Sequence, residues 1–349
     1  MTASLPMDVL CHGGTDAQGA APWDFSTNSN AAGPCPGVRE RLAAVDPTRY
    51  PDPAYAALRA RLACFHAVDE SRIVIGASGS ELIARLTQWA CRQARLRAPQ
   101  GMPTVWLPPH HYVDYARQAA LQGALPVDDV RAAALVWLCA PSSPLGQALV
   151  LPAHWEARDP NAVVVLDGAY APLTLTDEEA APGLDRDAVW QLWTPNKALG
   201  LCGLRAAYAV APRGLQAPAL AELVDLAPSW PLGAHGVALL DAWTRDDTQR
   251  WLQQARTMLR TWKEAQVAQL EQAGWRVRPS IASFLVARPP WPAGHSPQAV
   301  LGALRRCGIK LRDCTSFGLP GEVRLCVHTP EAREALAQAW QNILEDGNP

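Results

Sequence analysis

The sequence predicts an α/β protein whose large domain is a mostly parallel sheet flanked by helices, with a smaller α+β domain at the C-terminal end. Two observations carry this. Continuous apolar runs such as Val163-Val164-Val165-Leu166 suit strands buried on both faces of a sheet. Such runs alternate with stretches of helical periodicity, the order that builds strand–helix–strand units. A length of 349 residues fits about two domains. The expected division is an N-terminal arm over 1–45 that packs with the small domain, a large domain over 46–245 and a small domain over 246–349.

The elements follow in order. Residues 1–45 carry Gly and Pro punctuation, as in Gly33-Pro34-Cys35-Pro36-Gly37, and read as irregular. Residues 54–66 place Leu58, Leu62 and Phe65 on one helical face. Residues 72–75 are a short apolar strand, and Gly76-Ala77-Ser78-Gly79-Ser80 turns the chain into a helix over about 81–92. Strands are expected at 104–107, 134–139, 162–166 and 206–210, with helical stretches between them. A long amphipathic helix rich in Gln and Arg covers about 246–273. Strand signals at 283–287, 309–312 and 323–327, a helix over 297–307 and a terminal helix from about Pro330 complete the smaller domain.

Composition excludes several classes. A net charge of −2 excludes a generally basic nucleic-acid binder, and 49% hydrophobic with 18% charged residues excludes disorder. No apolar run approaches the ~18 residues of a membrane span, and the N-terminus lacks a secretory h-region, so a cytoplasmic location is expected. The nine cysteines form no C-x-x-C pair and read as scattered, reduced thiols rather than disulfides or a metal site. Only three of the 31 basic residues are lysines: Lys197, Lys263 and Lys310.

Four stretches carry chemistry. The strand-to-helix turn at Ser78-Gly79-Ser80 offers backbone N–H groups, a helix dipole and two hydroxyls to an anion; it equally fits an ordinary serine cap. Asp167 ends a strand, where open α/β sheets place ligands, and Tyr170 lies three residues on. Lys197 sits among apolar neighbours in Trp193-Thr194-Pro195-Asn196-Lys197-Ala198-Leu199-Gly200, a setting that favours the neutral amine a nucleophile needs. Arg205 follows eight residues later. Lys263, among Arg and Gln on the long helix, reads as a solvated face, and Lys310 as surface or edge.

This order, a phosphate cradle, then Asp-x-x-Tyr after a strand, then a lysine, then an arginine, resembles the fold-type I pyridoxal phosphate enzymes of the aspartate aminotransferase superfamily. The resemblance implies pyridoxal 5'-phosphate as cofactor, held covalently by Lys197. It implies that Asp167 pairs with the pyridine nitrogen and that Tyr170 bonds the ring O3′. Ser78, Gly79, Ser80, Thr194 and Arg205 would bind the phosphate, and Tyr112 would stack on the ring. Tyr50, in Arg49-Tyr50-Pro51-Asp52-Pro53, resembles a tyrosine that reaches the neighbouring subunit's cofactor, which implies a homodimer with shared sites.

Three further stretches narrow the resemblance: His12-Gly13-Gly14, Asp24-Phe25-Ser26-Thr27-Asn28-Ser29-Asn30, and Ile309-Lys310-Leu311-Arg312 leading to Val323-Arg324. Together they are similar, nearly end to end, to the L-threonine-O-3-phosphate decarboxylases of cobalamin biosynthesis. That implies a carboxy-lyase making (R)-1-amino-2-propanol O-2-phosphate, with substrate bound by His12, Gly13, Asn28, Arg312 and Arg324. The alternative is an aminotransferase of a phosphorylated or acidic amino acid, like the histidinol-phosphate aminotransferases, which share the core and the final arginine strand.

The chain departs from the superfamily pattern at three places. Ala140-Pro141-Ser142-Ser143-Pro144-Leu145-Gly146 puts Ser143 where an asparagine usually bonds O3′. Gly168 follows Asp167 where glutamate is frequent. Pro195-Asn196 precedes the lysine where a hydroxyl residue is usual. Lys197, Asp167 and Arg205 are untouched by these changes.

Overall fold

The computed structural model describes residues 12–346; the first eleven residues of the expected arm, Cys11 among them, lie outside the described part. The described chain opens with strand β1 (Trp23–Asp24), helix α1 (Pro36–Ala43) and helix α2 (Ala56–His66). Strand β2 (Ile73–Gly76) leads into helix α3 (Gly79–Arg97), and β3 (Thr104–Trp106) into α4 (Val113–Leu121). Strands β4 (Leu125–Pro126), β5 (Leu135–Cys139), β6 (Val163–Asp167), β7 (Trp190–Trp193) and β8 (Ala207–Val210) follow. Helices α5 (Ala217–Asp225), α6 (Ala234–Trp243) and α7 (Asp246–Gln272) come next, then β9 (Arg276–Val277) and β10 (Phe284–Arg288). Helix α8 (Pro297–Arg306), strands β11 (Ile309–Lys310), β12 (Arg312–Asp313) and β13 (Val323–Cys326), and helix α9 (Pro330–Asp346) complete it.

One sheet has seven strands in the order β2-β8-β7-β6-β5-β3-β4. Its pairs are parallel from β4 through β7, and β8 runs antiparallel to both β7 and β2. All strands but β8 therefore point one way, and the loops after them share one edge. Because β8 is reversed, the residues just before it reach that same edge. The sheet is buried on both faces: β5 and β6 have no exposed residue, and Trp137 and Trp190 are fully buried. Each large apolar side chain so buried contributes about 1.5–3 kcal/mol before entropy is counted.

A second, four-stranded antiparallel sheet is ordered β12-β13-β10-β9, and β1 of the arm pairs in parallel with β11. Helix α7 spans the two regions: Leu252 and Leu259 pack in the core under β2 and β8, and Leu270 packs with Phe284, Leu325 and Trp340.

Several expectations need correction. The arm is not irregular throughout: Pro36 occupies the first turn of α1, where its missing N–H costs nothing, and Val38 anchors the helix in the core. The expected strand at 309–312 divides, because residues 309–310 pair with the arm while 312–313 pair with β13, and Leu311 turns into the core between them. Strand β7 is not among the expected strands, because Trp190-Gln191-Leu192-Trp193 lacks the continuous aliphatic run that marks the others. Lys263 is not solvated. Its ammonium donates to the carbonyl oxygens of Ser280 and Ala282, and burial pushes its pKa down to about 8.

Candidate active site

The shared edge of the large sheet opens into a cavity of about 530 Å³. Its lining includes His12, Gly13, Asn28, Ser78, Gly79, Ser80, Tyr112, Ser143, Asp167, Tyr170, Thr194, Lys197, Arg205, Arg312 and Arg324. The structure thus brings together every candidate residue except Tyr50. That residue lies outside the cavity, 79% exposed, stacked on Trp230 with ring centroids 4.6 Å apart.

Helix α3 starts at the cavity. Ser78 is its cap and accepts from the Glu81 N–H at 3.1 Å, while Glu81 reaches back to the Ala77 N–H at 3.0 Å. This varies the capping box, with Glu81 reaching past the cap to the N–H of the residue before it. The serine is a cap and keeps its own O–H to give, so capping and anion binding are compatible here. Gly79 is required by close approach, since a Cβ there would lie 2.7 Å from Cγ2 of Thr194.

Asp167, at the end of β6, is buried and tightly held. Tyr115 donates its hydroxyl to Oδ2 at 2.6 Å, and the Ala169 N–H donates to Oδ1 at 2.9 Å. Tyr115 is itself fixed by parallel stacking on Trp137, centroids 4.6 Å apart and 5° between planes. Burial pushes the Asp167 carboxyl up, and the Tyr115 hydroxyl, the Ala169 N–H and the charge of Lys197 pull it partly back. Burial also pushes the Tyr115 phenol far up, so it stays a proton donor. Tyr115 is a residue the sequence reading missed.

Lys197 is half-buried, its ammonium 5.2 Å from the Tyr170 ring centroid. Arg205 stands exposed at the start of β8, and neither it nor Lys197 forms an ion pair with a carboxylate among the described residues.

The opposite wall comes from the arm and the small sheet. Arg312 and Arg324 are cross-strand partners, and their guanidinium carbons lie 4.9 and 5.6 Å from the Phe317 ring centroid. Arg312 donates to the Asp313 carbonyl and to Ser316 Oγ, each at 2.7 Å. Arg324 donates to the Ser26 carbonyl at 3.1 Å. Ser26 is a hub: its Oγ also accepts the Gly14 N–H at 2.9 Å and donates to Asp24 Oδ1. Gly13 runs so close to Ser26 that a Cβ would sit 2.1 Å from the Ser26 carbonyl oxygen. His12 lies against Tyr112, centroids 5.9 Å apart.

The charge balance of this cavity is decided. Lys197, Arg117, Arg205, Arg312 and Arg324 face only Asp114 and Asp167 among its lining carboxylates. Both polar atoms of the Asn28 amide, the Thr194 hydroxyl and Nε of Arg324 are buried without a protein partner. An unpaired buried polar group costs about 1–3 kcal/mol, so the lining is built for a ligand rich in oxyanions. No group of His, Cys, Asp and Glu side chains suited to a metal ion occurs among the described residues. Among them, too, no helix is long and apolar enough to cross a membrane.

Comparison with known proteins agrees with this geometry. The family model for aminotransferase class I and II matches residues 23–339. The histidinol-phosphate aminotransferase of Symbiobacterium thermophilum is 28% identical over 345 residues, covering 93% of this chain and 91% of that protein. That of Ruegeria pomeroyi is 28% identical over 354 residues, covering 92% and 91%. Among solved structures, the histidinol-phosphate aminotransferase of Sinorhizobium meliloti in complex with pyridoxal-5'-phosphate superposes with a TM-score of 0.74 at 22% identity, covering 92% of this chain and 90% of that one. The L-threonine-O-3-phosphate decarboxylase of Porphyromonas gingivalis gives 0.73 at 20% identity, covering 92% and 99%. At these identities the two structures speak for the fold, which is that of the fold-type I pyridoxal phosphate enzymes. The curated relatives' names favour the aminotransferase alternative over the decarboxylase.

Proposed function

The chain belongs to the aminotransferase class I and II family, whose cofactor is pyridoxal 5'-phosphate, and on that premise we propose that it transfers the amino group of a phosphorylated or acidic amino acid, in the manner of the histidinol-phosphate aminotransferases it is similar to. The observation that carries this is the single cavity with an amine, a buried carboxylate and a helix N-terminus on one wall and two guanidiniums on the other.

The residues fit the cofactor. Lys197 would hold it covalently, Asp167 would face its pyridine nitrogen, and Tyr112 would lie against its ring. Ser143 and Tyr170 would serve O3′. Ser78, Gly79, Ser80, Thr194 and Arg205 would hold its phosphate, the unpartnered Thr194 hydroxyl finding an acceptor there. When bound, the cofactor supplies an electron sink for bonds at the substrate α-carbon. The Lys197 amine would carry the proton to or from that carbon. Arg324 and Arg312 would orient the substrate by its oxyanions, and Asn28, His12 and the Gly13 N–H would close the remaining side. How these residues orient the α-carbon substituents would decide between amino transfer and decarboxylation.

Decarboxylation of L-threonine O-3-phosphate is the second reading. The pairing of Arg312 with Arg324 across one phenylalanine ring favours it. Two guanidiniums packed on one ring suit a short substrate bearing both a carboxylate and a phosphate. The same proposal includes a homodimer, with Tyr50 serving the neighbouring site, a cytoplasmic location and the division into arm, large and small domains.

The test is direct. The protein is given histidinol phosphate or an acidic amino acid with a keto-acid acceptor, and in parallel threonine phosphate alone. Keto-acid-dependent amino transfer without CO₂ supports the first reading; CO₂ with aminopropanol phosphate replaces it with the second. A visible absorption band and a borohydride-trapped adduct, both lost in Lys197→Ala, are expected in either case. Failure of the wild-type protein to take up the cofactor would sink both.

A further inference from the structure

The segment from Lys197 to Arg205 makes an irregular loop between β7 and β8. One side chain ties it together. The buried Asn196 accepts the Lys197 N–H on Oδ1 at 3.0 Å. Its Nδ2 donates to the Leu204 carbonyl at 3.1 Å and to the Cys202 carbonyl at 3.3 Å. Its backbone carbonyl accepts the Leu201 N–H at 2.8 Å. The three side-chain bonds fix the orientation of the amide. A reversed amide would set its NH₂ against an N–H and its oxygen against two carbonyls.

The ends of this clip are the two groups proposed to hold opposite ends of the cofactor. Lys197 is bonded through its own N–H, and Leu204 is the residue before Arg205. Asn196 is also the position where the sequence departs from the hydroxyl residue usual before the lysine. A hydroxyl has one donor and cannot bridge two carbonyls while accepting from a third group; an asparagine can.

We propose that Asn196 is the positioning residue that sets the reach between the Lys197 amine and the Arg205 guanidinium, and so matches the site to a phosphorylated rather than an unphosphorylated pyridoxal. The inference rests on the proposed roles of Lys197 and Arg205. It states what Asn196 adds: not a contact to the ligand, but the spacing between two contacts.

The test compares affinities of the full-length, cofactor-stripped protein for pyridoxal phosphate and for pyridoxal, read from the visible band formed with Lys197. The ratio of the two dissociation constants measures what the phosphate contributes. In the wild type it is expected to be large, and in Arg205→Ala to collapse. In Asn196→Ser the ratio is expected to fall about tenfold, the size of one charge-assisted interaction lost, with pyridoxal affinity within about twofold of wild type.

Equal weakening toward both ligands makes Asn196 a general structural element and overturns the proposal. So does a ratio that stays at the wild-type value. Asn196→Ala is run beside it; if neither variant keeps a native near-ultraviolet circular dichroism spectrum, Asn196 is a folding determinant and the proposal falls. A wild-type ratio near one, or one unchanged in Arg205→Ala, removes the Arg205 role and the inference with it. A ratio lost in Arg205→Ala but kept in Asn196→Ser removes the inference alone.

Discussion

The two walls of the cavity are built differently. The wall proposed for the cofactor comes from one sheet. Asp167 ends a strand and Ser78, Ser143 and Lys197 follow strands that end at the same edge, while Arg205 precedes the reversed strand that starts there. The ladders that fix those strands also fix the side chains. The wall proposed for substrate is assembled from residues 12–28 and 312–324. It is joined by a two-residue strand pair, the Arg324 bond to Ser26, the Cys326 N–H bond to the Phe25 carbonyl, the burial of Phe25 in the small-domain core and the ion pairs of Asp16. A preformed wall suits a resident cofactor. A wall carried by separate elements can be retuned while the sheet edge stays in place, one way for a single fold to host different substrates and reactions.

The largest expected separation of the walls comes from Arg324→Ala. Losing a forked, charge-assisted grip on a substrate oxyanion should raise substrate KM about a hundredfold. Cofactor affinity, followed by the visible band, should hardly change. Arg324→Lys keeps the charge without the fork and should fall between. If cofactor affinity drops in parallel with KM, the two walls are one unit and the comparison is wrong.

Tyr115→Phe probes the other wall. The ring keeps its stacking on Trp137, while the 2.6 Å hydrogen bond to Asp167 is lost together with the hydroxyl's bond to the Cys139 thiol. One hydrogen bond to a charged group corresponds to roughly tenfold in cofactor affinity, with substrate KM unchanged. The sign of the pH effect follows from burial, which already raises the Asp167 carboxyl while Tyr115 holds it down. Without the hydroxyl the carboxyl rises further and is protonated at higher pH. The acid limb of cofactor affinity should therefore move upward in pH, and an unmoved limb would show that Tyr115 does not support the carboxylate.

The same contrast explains what could be read from the sequence. On the first wall the serine turn, Asp167 and Lys197 were legible as candidates because each lies at or after a strand end inside a local pattern, while Tyr112, Ser143 and Thr194 came from resemblance. Tyr115 was not, since its partner Asp167 is 52 positions away and nothing local marks the pair. Asn196 was visible only as a departure, because its role lies in carbonyls that the loop folds back to it. On the second wall, Arg312, Arg324 and Asn28 came from resemblance, but the bond from Arg324 to the Ser26 carbonyl spans 298 positions. Lys263 was misread for a related reason: its helical neighbours are polar, and the carbonyls that it caps arrive from residues 280 and 282. The helix at 36–43 was hidden by the Gly and Pro residues that flag a loop, although proline is favoured where that helix begins.

The smallest effect tests how the second wall is hung. Asp16 pairs with Arg305 at 3.0 Å and with Lys310 at 2.8 Å, and Lys310 also donates to the Gly14 carbonyl. Together these hold the start of the arm, with His12 and Gly13, against the small sheet. Arg305 and then Lys310 hold the Asp16 carboxyl far below the usual carboxylate range of about 3.8. Because the folded value is the lower one, the contribution is complete above the unfolded value and is lost only as pH falls toward the folded value. Between about pH 5 and 8 the latch is therefore constant, and ionic strength rather than pH should move it. Asp16→Asn should raise substrate KM about twofold to fivefold at low salt, the scale of exposed ion pairs. The gap from wild type should narrow as salt is added. Amide exchange at residues 14–19 should quicken, while at β5 and β6 it stays slow. If the variant changes KM equally at low and high salt, the ion pairs do not hold the arm, and the substrate wall is fixed by the Ser26 bonds instead.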